Sequence, residues 1–278
     1  MIKTYGLNLC AEFDFISRIT SDRDIDIYID TCEYHPNDSL KIYFQCEPNE
    51  IYPCYSYLQS NYTRYDYIMC YDTTQLQNSN NVITHLCGGT WIKDIPMHEK
   101  QYKISNLCGS KKMTSAHTQR IHLYHSQLEF TSWPITFFRS NYGDILPNIN
   151  NNPFIGRTLE SKIDLFKDFQ FSIVIENSRE RNYFSEKIVD CLITKTIPIY
   201  YGCSNIQDYF DISGWIILES NNIVDELKQK LIILNETYYS KYMDTIDYNY
   251  EKAKYHGDFI NGMVDALVQI PGVQRSTK

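Results

Sequence analysis

No Cys-x-x-Cys pair occurs in the chain, and its nine cysteines are scattered and odd in number. That excludes a zinc ribbon and a disulfide framework, and suits reduced thiols in a cytosol-like compartment. No run of basic residues is present and the formal charge is −8, which excludes a nucleic-acid backbone as partner because such affinity comes from neutralising many phosphates at once. A small anionic ligand needs only two or three local cations and stays open. Residues 1–20 carry Glu12, Asp14 and Arg18 among short apolar pieces, so the sequence shows neither a signal-peptide core nor a membrane span. Repeats are absent. The expectation is a soluble, cytoplasmic protein whose sequons at Asn61 and Asn235 are chance.

Apolar residues make up 43% and aromatics 14%, enough to fold nearly the whole length into one large or two small domains. The 24 tyrosines fit an AT-rich coding composition as well as any chemistry. Strand-like runs rich in β-branched and aromatic residues stand at Ile25 to Ile29, Lys41 to Cys46, Tyr67 to Tyr71 and Val82 to Leu86. Gly88-Gly89 and Pro96 interrupt them, which places a linker at 93–101 and divides the chain into 1–100 and 101–278.

The second part alternates more clearly: a strand at Lys103 to Leu107, a helix at Ser115 to Phe130, a strand at Ile135 to Phe138 and a long loop over 140–156. A helix at Leu159 to Lys167, a strand at Phe169 to Ile175, a helix at Glu186 to Ile193 and a strand at Ile197 to Tyr201 follow. Helical spacing at Ile223, Leu227 and Leu231 opens a polar, tyrosine-rich tail. Such alternation predicts a mostly parallel sheet with helices on both faces, and ligands bind beyond the carboxyl ends of its strands.

The strand ending at Ile175 delivers Glu176, Asn177 and Ser178 to such an end. A short loop leads to Tyr183 and to Ser185-Glu186-Lys187, with Ser185 a candidate N-cap. Helix amides, a lysine and a tyrosine hydroxyl suit a diphosphate, while Glu186 suits sugar or ribose hydroxyls. On spacing alone a solvated Lys187 and a helix-favouring Glu186 explain the segment better than a ligand site does.

Residues 169–210, FQFSIVIENSRERNYFSEKIVDCLITKTIPIYYGCSNIQDYF, resemble the signature block of glycosyltransferase family 10, the α-1,3/4-fucosyltransferases. The resemblance lies in the apolar strand ending in Glu-Asn-Ser, the Tyr-x-Ser-Glu-Lys element, and Ile197-Pro198-Ile199-Tyr200-Tyr201-Gly202. Residues 107–120 resemble the family's strand-to-helix segment ending in a phosphate-binding arginine, here Arg120. Lys41 to Pro48 resembles the strand whose terminal glutamate is the family's general base, which makes Glu47 the candidate and Glu50 its rival.

The resemblance implies a GT-B fold, two Rossmann-like domains with mostly parallel sheets facing across a cleft, and an inverting transfer of fucose from GDP-fucose to a glycan hydroxyl. No separate cofactor is implied. The donor site would comprise Arg120, Glu176, Asn177, Ser178, Tyr183, Glu186 and Lys187. The charged loop Arg179-Glu180-Arg181-Asn182 and residues 140–156 depart from the family's pattern and leave another nucleotide sugar open as donor. A catalytically silent nucleotide-sugar binder is the alternative of a different class, since the first hundred residues match weakly.

Two other constellations carry less. Asp22, Asp24 and Asp26 form the Asp-x-Asp spacing that holds a metal under a nucleotide elsewhere, but they lie in an alternating run where every second residue faces solvent. His117, His122 and His125 share one predicted helix without a completing carboxylate or cysteine set, and His117 adjoins Arg120.

Overall fold

A computed structural model describes residues 1–6, 15–76, 81–86, 88–95, 99–140 and 155–277, the side chains of 155–158 apart. Nearly all of the 140–156 loop, and Pro96 of the expected linker, lie outside the described residues. The chain divides into two compact units. The first holds Met1–Gly88, Arg181–Tyr183 and Asp258–Lys278, and the second holds Gly89–Glu180 and Phe184–Gly257.

The first unit contains β1 (Ile2–Gly6), β2 (Ile19–Ser21), β3 (Ile25–Ile29), β4 (Leu40–Phe44), α1 (Cys54–Asn61), β5 (Tyr67–Cys70) and β6 (Val82–Thr84). Its described sheet has the order β1-β3-β4-β5-β6 with every pair parallel. Alternation along the strands separates two cores. Ile25, Ile27, Ile29, Leu40, Ile42, Phe44 and Met69 form an aliphatic face, whereas Tyr28, Tyr43, Ile68 and Cys70 point the other way, toward Tyr55, Leu58 and Tyr65. Several of the tyrosines are therefore structural: Tyr28 and Tyr43 are fully buried, and Tyr43 meets Tyr65 edge-on at 5.2 Å.

The second unit contains β7 (Gln101–Cys108), α2 (Ser115–His125), β8 (Ile135–Arg139), β9 (Ile155–Thr158), β10 (Phe169–Ile175), α3 (Glu186–Ile193), β11 (Ile197–Tyr201), β12 (Ile216–Ile217), α4 (Ile223–Lys230) and α5 (Met243–Gly257). The sheet order is β12-β11-β10-β7-β8-β9, all parallel. Counted from this unit's own first strand, that is 3-2-1-4-5-6, the doubly wound order, and it reverses direction between β7 and β10. Phe171, Ile173, Ile175, Ile197 and Ile199 bury one face under Leu123 and Tyr124 of α2 and Ile223 and Leu227 of α4. The α3 helix packs against β10, β11 and α5.

Three expectations change. The helix read over Leu159 to Lys167 is one 3-10 turn, Lys162–Leu165; Ser161 gives no side-chain cap, and the strand at Phe169 begins too soon for a stable helix. The helix expected to reach Phe130 ends at His125, where the Ser126 amide is shared between the carbonyls of His122 and Leu123, and a separate 3-10 turn follows. The tail also does not stay with the second unit. Asp258 accepts the Asn261 amide and starts a new helix, α6 (Phe259–Leu267), which with β13 (Val273–Arg275) belongs to the first unit. Met263, Val264, Ala266 and Leu267 close the aliphatic face there, and β13 pairs antiparallel with β2. Hydrophobic periodicity shows that a helix has an apolar face but not which sheet needs it.

Candidate functional site

The carboxyl ends of β7 and β10 stand side by side at the reversal of strand order, the position where open α/β sheets take ligands. Beyond β7 the chain passes Gly109 and reaches Thr114, the N-cap of α2, which accepts the His117 amide at 3.1 Å. One turn on, Arg120 reaches back to β10. Its Nη2 donates to the carbonyl of Glu176 at 3.0 Å and to Oδ1 of Asn177 at 2.8 Å. Beyond β10 the chain passes through 177–184 to Ser185, the observed N-cap of α3, whose oxygen accepts the Lys187 amide.

Arg120, Asn177, Glu186 and Lys187 are all half-buried here, and the charges of Arg120, Lys187 and Lys111 all bear on the His117 ring. The cations of both loops thus converge on one place. Lys187 Nζ lies 3.1 Å from Glu186 Oε1, 3.1 Å from Ser185 Oγ and 3.9 Å from Glu176 Oε2. Burial disfavours the charged form of Glu186, but Lys187 and Lys162 outweigh it and hold the carboxyl at about 2. Glu186 is therefore an anion throughout the neutral range, able to accept from hydroxyls.

Glu176 is held inside the strand-to-helix loop. It is fully buried, and its carboxylate turns inward, Oε1 accepting the Ser185 amide at 3.1 Å and Oε2 the Ser185 hydroxyl at 2.6 Å. An internal carboxylate thus occupies the first amide of the α3 entry and fixes the loop between strand and helix. Burial raises its pKa, against the pull of Lys187. Ser178, 2% exposed, donates to Glu180 Oε1 at 2.7 Å and shapes the same loop. Tyr183 is also 2% exposed and belongs to the tyrosine core of the first unit, its ring 5.4 Å from that of Tyr71. These three residues are thus buried, whereas Arg120, Asn177, Glu186 and Lys187 are half-buried.

Gly202 is a residue whose role the sequence hides. A Cβ there would lie 2.5 Å from Cγ of Glu176 and 2.5 Å from the Tyr200 hydroxyl, which itself accepts the Cys203 amide at 3.0 Å. Both neighbours are fixed, so neither can yield cheaply. Gly202→Ala is expected to destabilise the protein by about 1–3 kcal/mol, the usual result of overpacking. Thermal unfolding of the variant checks this, and an unchanged midpoint would show that Glu176 is not held as described.

In the first unit Glu47 is half-buried one turn beyond β4, and Glu50 is exposed. The Glu47 amide donates to Asp30 Oδ2 at 2.8 Å, and the Cys46 amide donates to the same carboxylate at 3.1 Å. Asp30 ends β3 in the left-handed region with φ 43, and burial lifts its carboxyl to about 7, with Glu47 adding to the rise. An isolated aspartate after an apolar strand gave no signal of this. Of the Asp-x-Asp set, Asp26 does not face solvent: it is 2% exposed and accepts from Asn37 Nδ2 at 2.8 Å and Ser39 Oγ at 2.7 Å, closing the β3–β4 connection.

Two parallel-sheet α/β units, the second doubly wound with a cation cluster at its reversal point, define a protein of the GT-B type. Solved structures share this fold: an α1,3-fucosyltransferase with GDP is 14% identical at a TM-score of 0.52, covering 93% of this chain and 89% of its own. The apo structure of OtsA is 10% identical at 0.56, covering 90% of this chain and 74% of its own. Sequence similarity adds to the likeness of fold. Residues 149–257, all within or beside the second unit, match the model of glycosyltransferase family 10 (fucosyltransferase), C-terminal part. The α-(1,3)-fucosyltransferase FucT of Helicobacter pylori is 25% identical over 92 residues, a stretch that is 33% of this chain and 19% of that enzyme. Among the described residues no helix is long and apolar enough to cross a membrane.

Proposed function

We propose that the protein is an inverting glycosyltransferase that moves fucose from GDP-fucose to a hydroxyl of a glycan acceptor. The observation that carries this reading is that the family 10 segment after β10 meets Arg120 of α2 at the reversal point of the sheet.

As the sugar leaves, negative charge grows on the diphosphate while the anomeric carbon becomes cation-like. Positive groups held in place before the reaction stabilise that change most. Arg120 and Lys187 supply them, and the fixed entry of α3 keeps Lys187 in position. Glu186, charged and paired with Lys187, accepts from hydroxyls of the sugar or ribose. Inversion requires the acceptor hydroxyl to attack from the side opposite the diphosphate and to lose its proton, which Glu47 takes as general base. Side-chain cations do the work that a divalent metal does in other transferases, so turnover survives a chelator.

Incubation with GDP-fucose is the test. A working transferase leaks its donor slowly to water and releases GDP and fucose, and an added glycan acceptor accelerates GDP release. A donor that stays whole while binding tightly would instead identify a silent nucleotide-sugar binder, and faster turnover of a different nucleotide sugar would correct the donor.

A further inference from the structure

The Thr114–His117 pair fixes the state of an imidazole that the proposed chemistry above does not use. Thr114 Oγ1 accepts the His117 amide, as an N-cap must, and also lies 2.9 Å from His117 Nδ1. Both side chains are buried, Thr114 at 4% exposed and His117 at 2%. The threonine hydrogen has no other acceptor among the described residues, so it goes to Nδ1. That leaves the ring hydrogen on Nε2. Burial, with the charges of Arg120, Lys187 and Lys111, pushes the imidazole down to about 4 against a weak hydrogen bond to the Asn177 side chain. The ring is therefore neutral at working pH, with one N–H of fixed direction.

That N–H is buried and makes no hydrogen bond of normal geometry; its one partner among the described residues is the Asn177 side chain beside it, whose oxygen already accepts from Arg120 at 2.8 Å. An unsatisfied buried donor is unfavourable. It persists here beside three cations and an amide, at the point of the sheet where a ligand belongs. A cation cluster around a donor whose only neighbour is an amide oxygen already taken by Arg120 lacks an anion.

We propose that His117 is a neutral hydrogen-bond donor to a phosphate oxygen of the bound diphosphate, a positioning residue that works beside Arg120. The assignment rests on the reading of the reversal point as a nucleotide-diphosphate site, but it concerns the diphosphate and not the sugar. A neutral donor has an advantage there over a fourth cation. It adds direction without adding repulsion to Arg120, Lys187 and Lys111, and its bond strengthens as charge builds on the leaving group.

The test is calorimetric titration of the full-length chain with inorganic pyrophosphate, GDP and guanosine. His117→Phe keeps the ring's bulk and removes the donor, and His117→Gln restores an N–H near the Nε2 position. The expected result is that the phenylalanine variant binds pyrophosphate and GDP about tenfold more weakly, the ordinary worth of one hydrogen bond to a charged group. Guanosine affinity should not change, and glutamine should recover most of the loss. If His117→Phe fails to fold, His117→Asn, whose amide stops short of the Nε2 position, replaces it with the same tenfold loss expected. Unchanged pyrophosphate and GDP affinity in a folded variant lacking the donor would overturn the assignment and make His117 a packing residue. Wild-type protein that binds pyrophosphate in a His117-dependent way but ignores GDP would uphold the assignment and overturn the donor reading. Wild-type protein that binds none of the three would overturn both.

Discussion

Lys187→Ala is expected to lower kcat by about two to three orders of magnitude, and Arg120→Ala by a similar factor. Each substitution removes a positive group from the place where leaving-group charge develops, an effect worth about 2–4 kcal/mol when the group is held in advance. The two variants should differ in stability. Arg120 ties the turn after β10 to α2 through the Glu176 carbonyl and Asn177, so its loss loosens that turn as well. Lys187 is the principal counter-charge of Glu186, so without it that carboxyl rises from about 2 toward its ordinary range. A depressed carboxyl adds stability above its unfolded pKa and loses it as the pH falls through the folded one. The Lys187 variant should therefore lose part of this contribution at neutral pH, by no more than about 1 kcal/mol for a pair so near the surface. Steady-state kinetics beside thermal unfolding separates the effects. Wild-type turnover in both variants would remove the phosphate-clamp assignment.

Glu47→Gln is expected to lower transfer by roughly two to four orders of magnitude while leaving donor affinity nearly unchanged, since it keeps size and hydrogen bonding and removes only the proton acceptor. Two comparisons sharpen this. Glu50→Gln, at an exposed position three residues on, should be silent. Asp30→Asn is the more searching control. Its carboxylate holds the amides of Cys46 and Glu47, and a carboxyl lifted to about 7 is chemically a better base near neutrality than an ordinary one. If Asp30 only positions Glu47, the asparagine variant loses part of its turnover and keeps a pH profile of wild-type shape. Collapse of transfer in the Asp30 variant with a wild-type rate in Glu47→Gln would move the base to Asp30. Collapse in Glu50→Gln alone would show the alignment of this segment to be out of register.

The elements nearest the site were the most legible in the sequence, and for a physical reason. Phe169 to Ile175 and Ile197 to Tyr201 are short apolar runs bounded by polar residues, and Ser185 before Glu186-Lys187 is a cap followed by a helix start. The structure has β10, β11 and α3 at those bounds. Local chemistry decides such elements. It does not decide where a side chain turns. Glu176 after an apolar strand looks like an exposed ligand contact, and only the fold shows that Ser185 draws it inward and that Gly202 makes the room. Tyr183 looks like a hydroxyl donor, and only the fold shows that its ring belongs to a tyrosine core assembled from strands far apart in sequence. The return of α6 to the first unit was hidden in the same way, because the apolar face of Phe259 to Leu267 fits any open sheet.

The most direct measurement is the binding of GDP in excess EDTA, followed by calorimetry and thermal unfolding, for the wild type and for Arg120→Ala and Lys187→Ala. The account predicts that the wild type binds without a divalent metal and gains about 2.7 kcal/mol of stability at a hundred times the dissociation constant. Both variants should bind at least tenfold more weakly. Binding abolished by EDTA, restored by manganese and lost in Asp24→Ala would contradict it and move the nucleotide to the Asp-x-Asp segment.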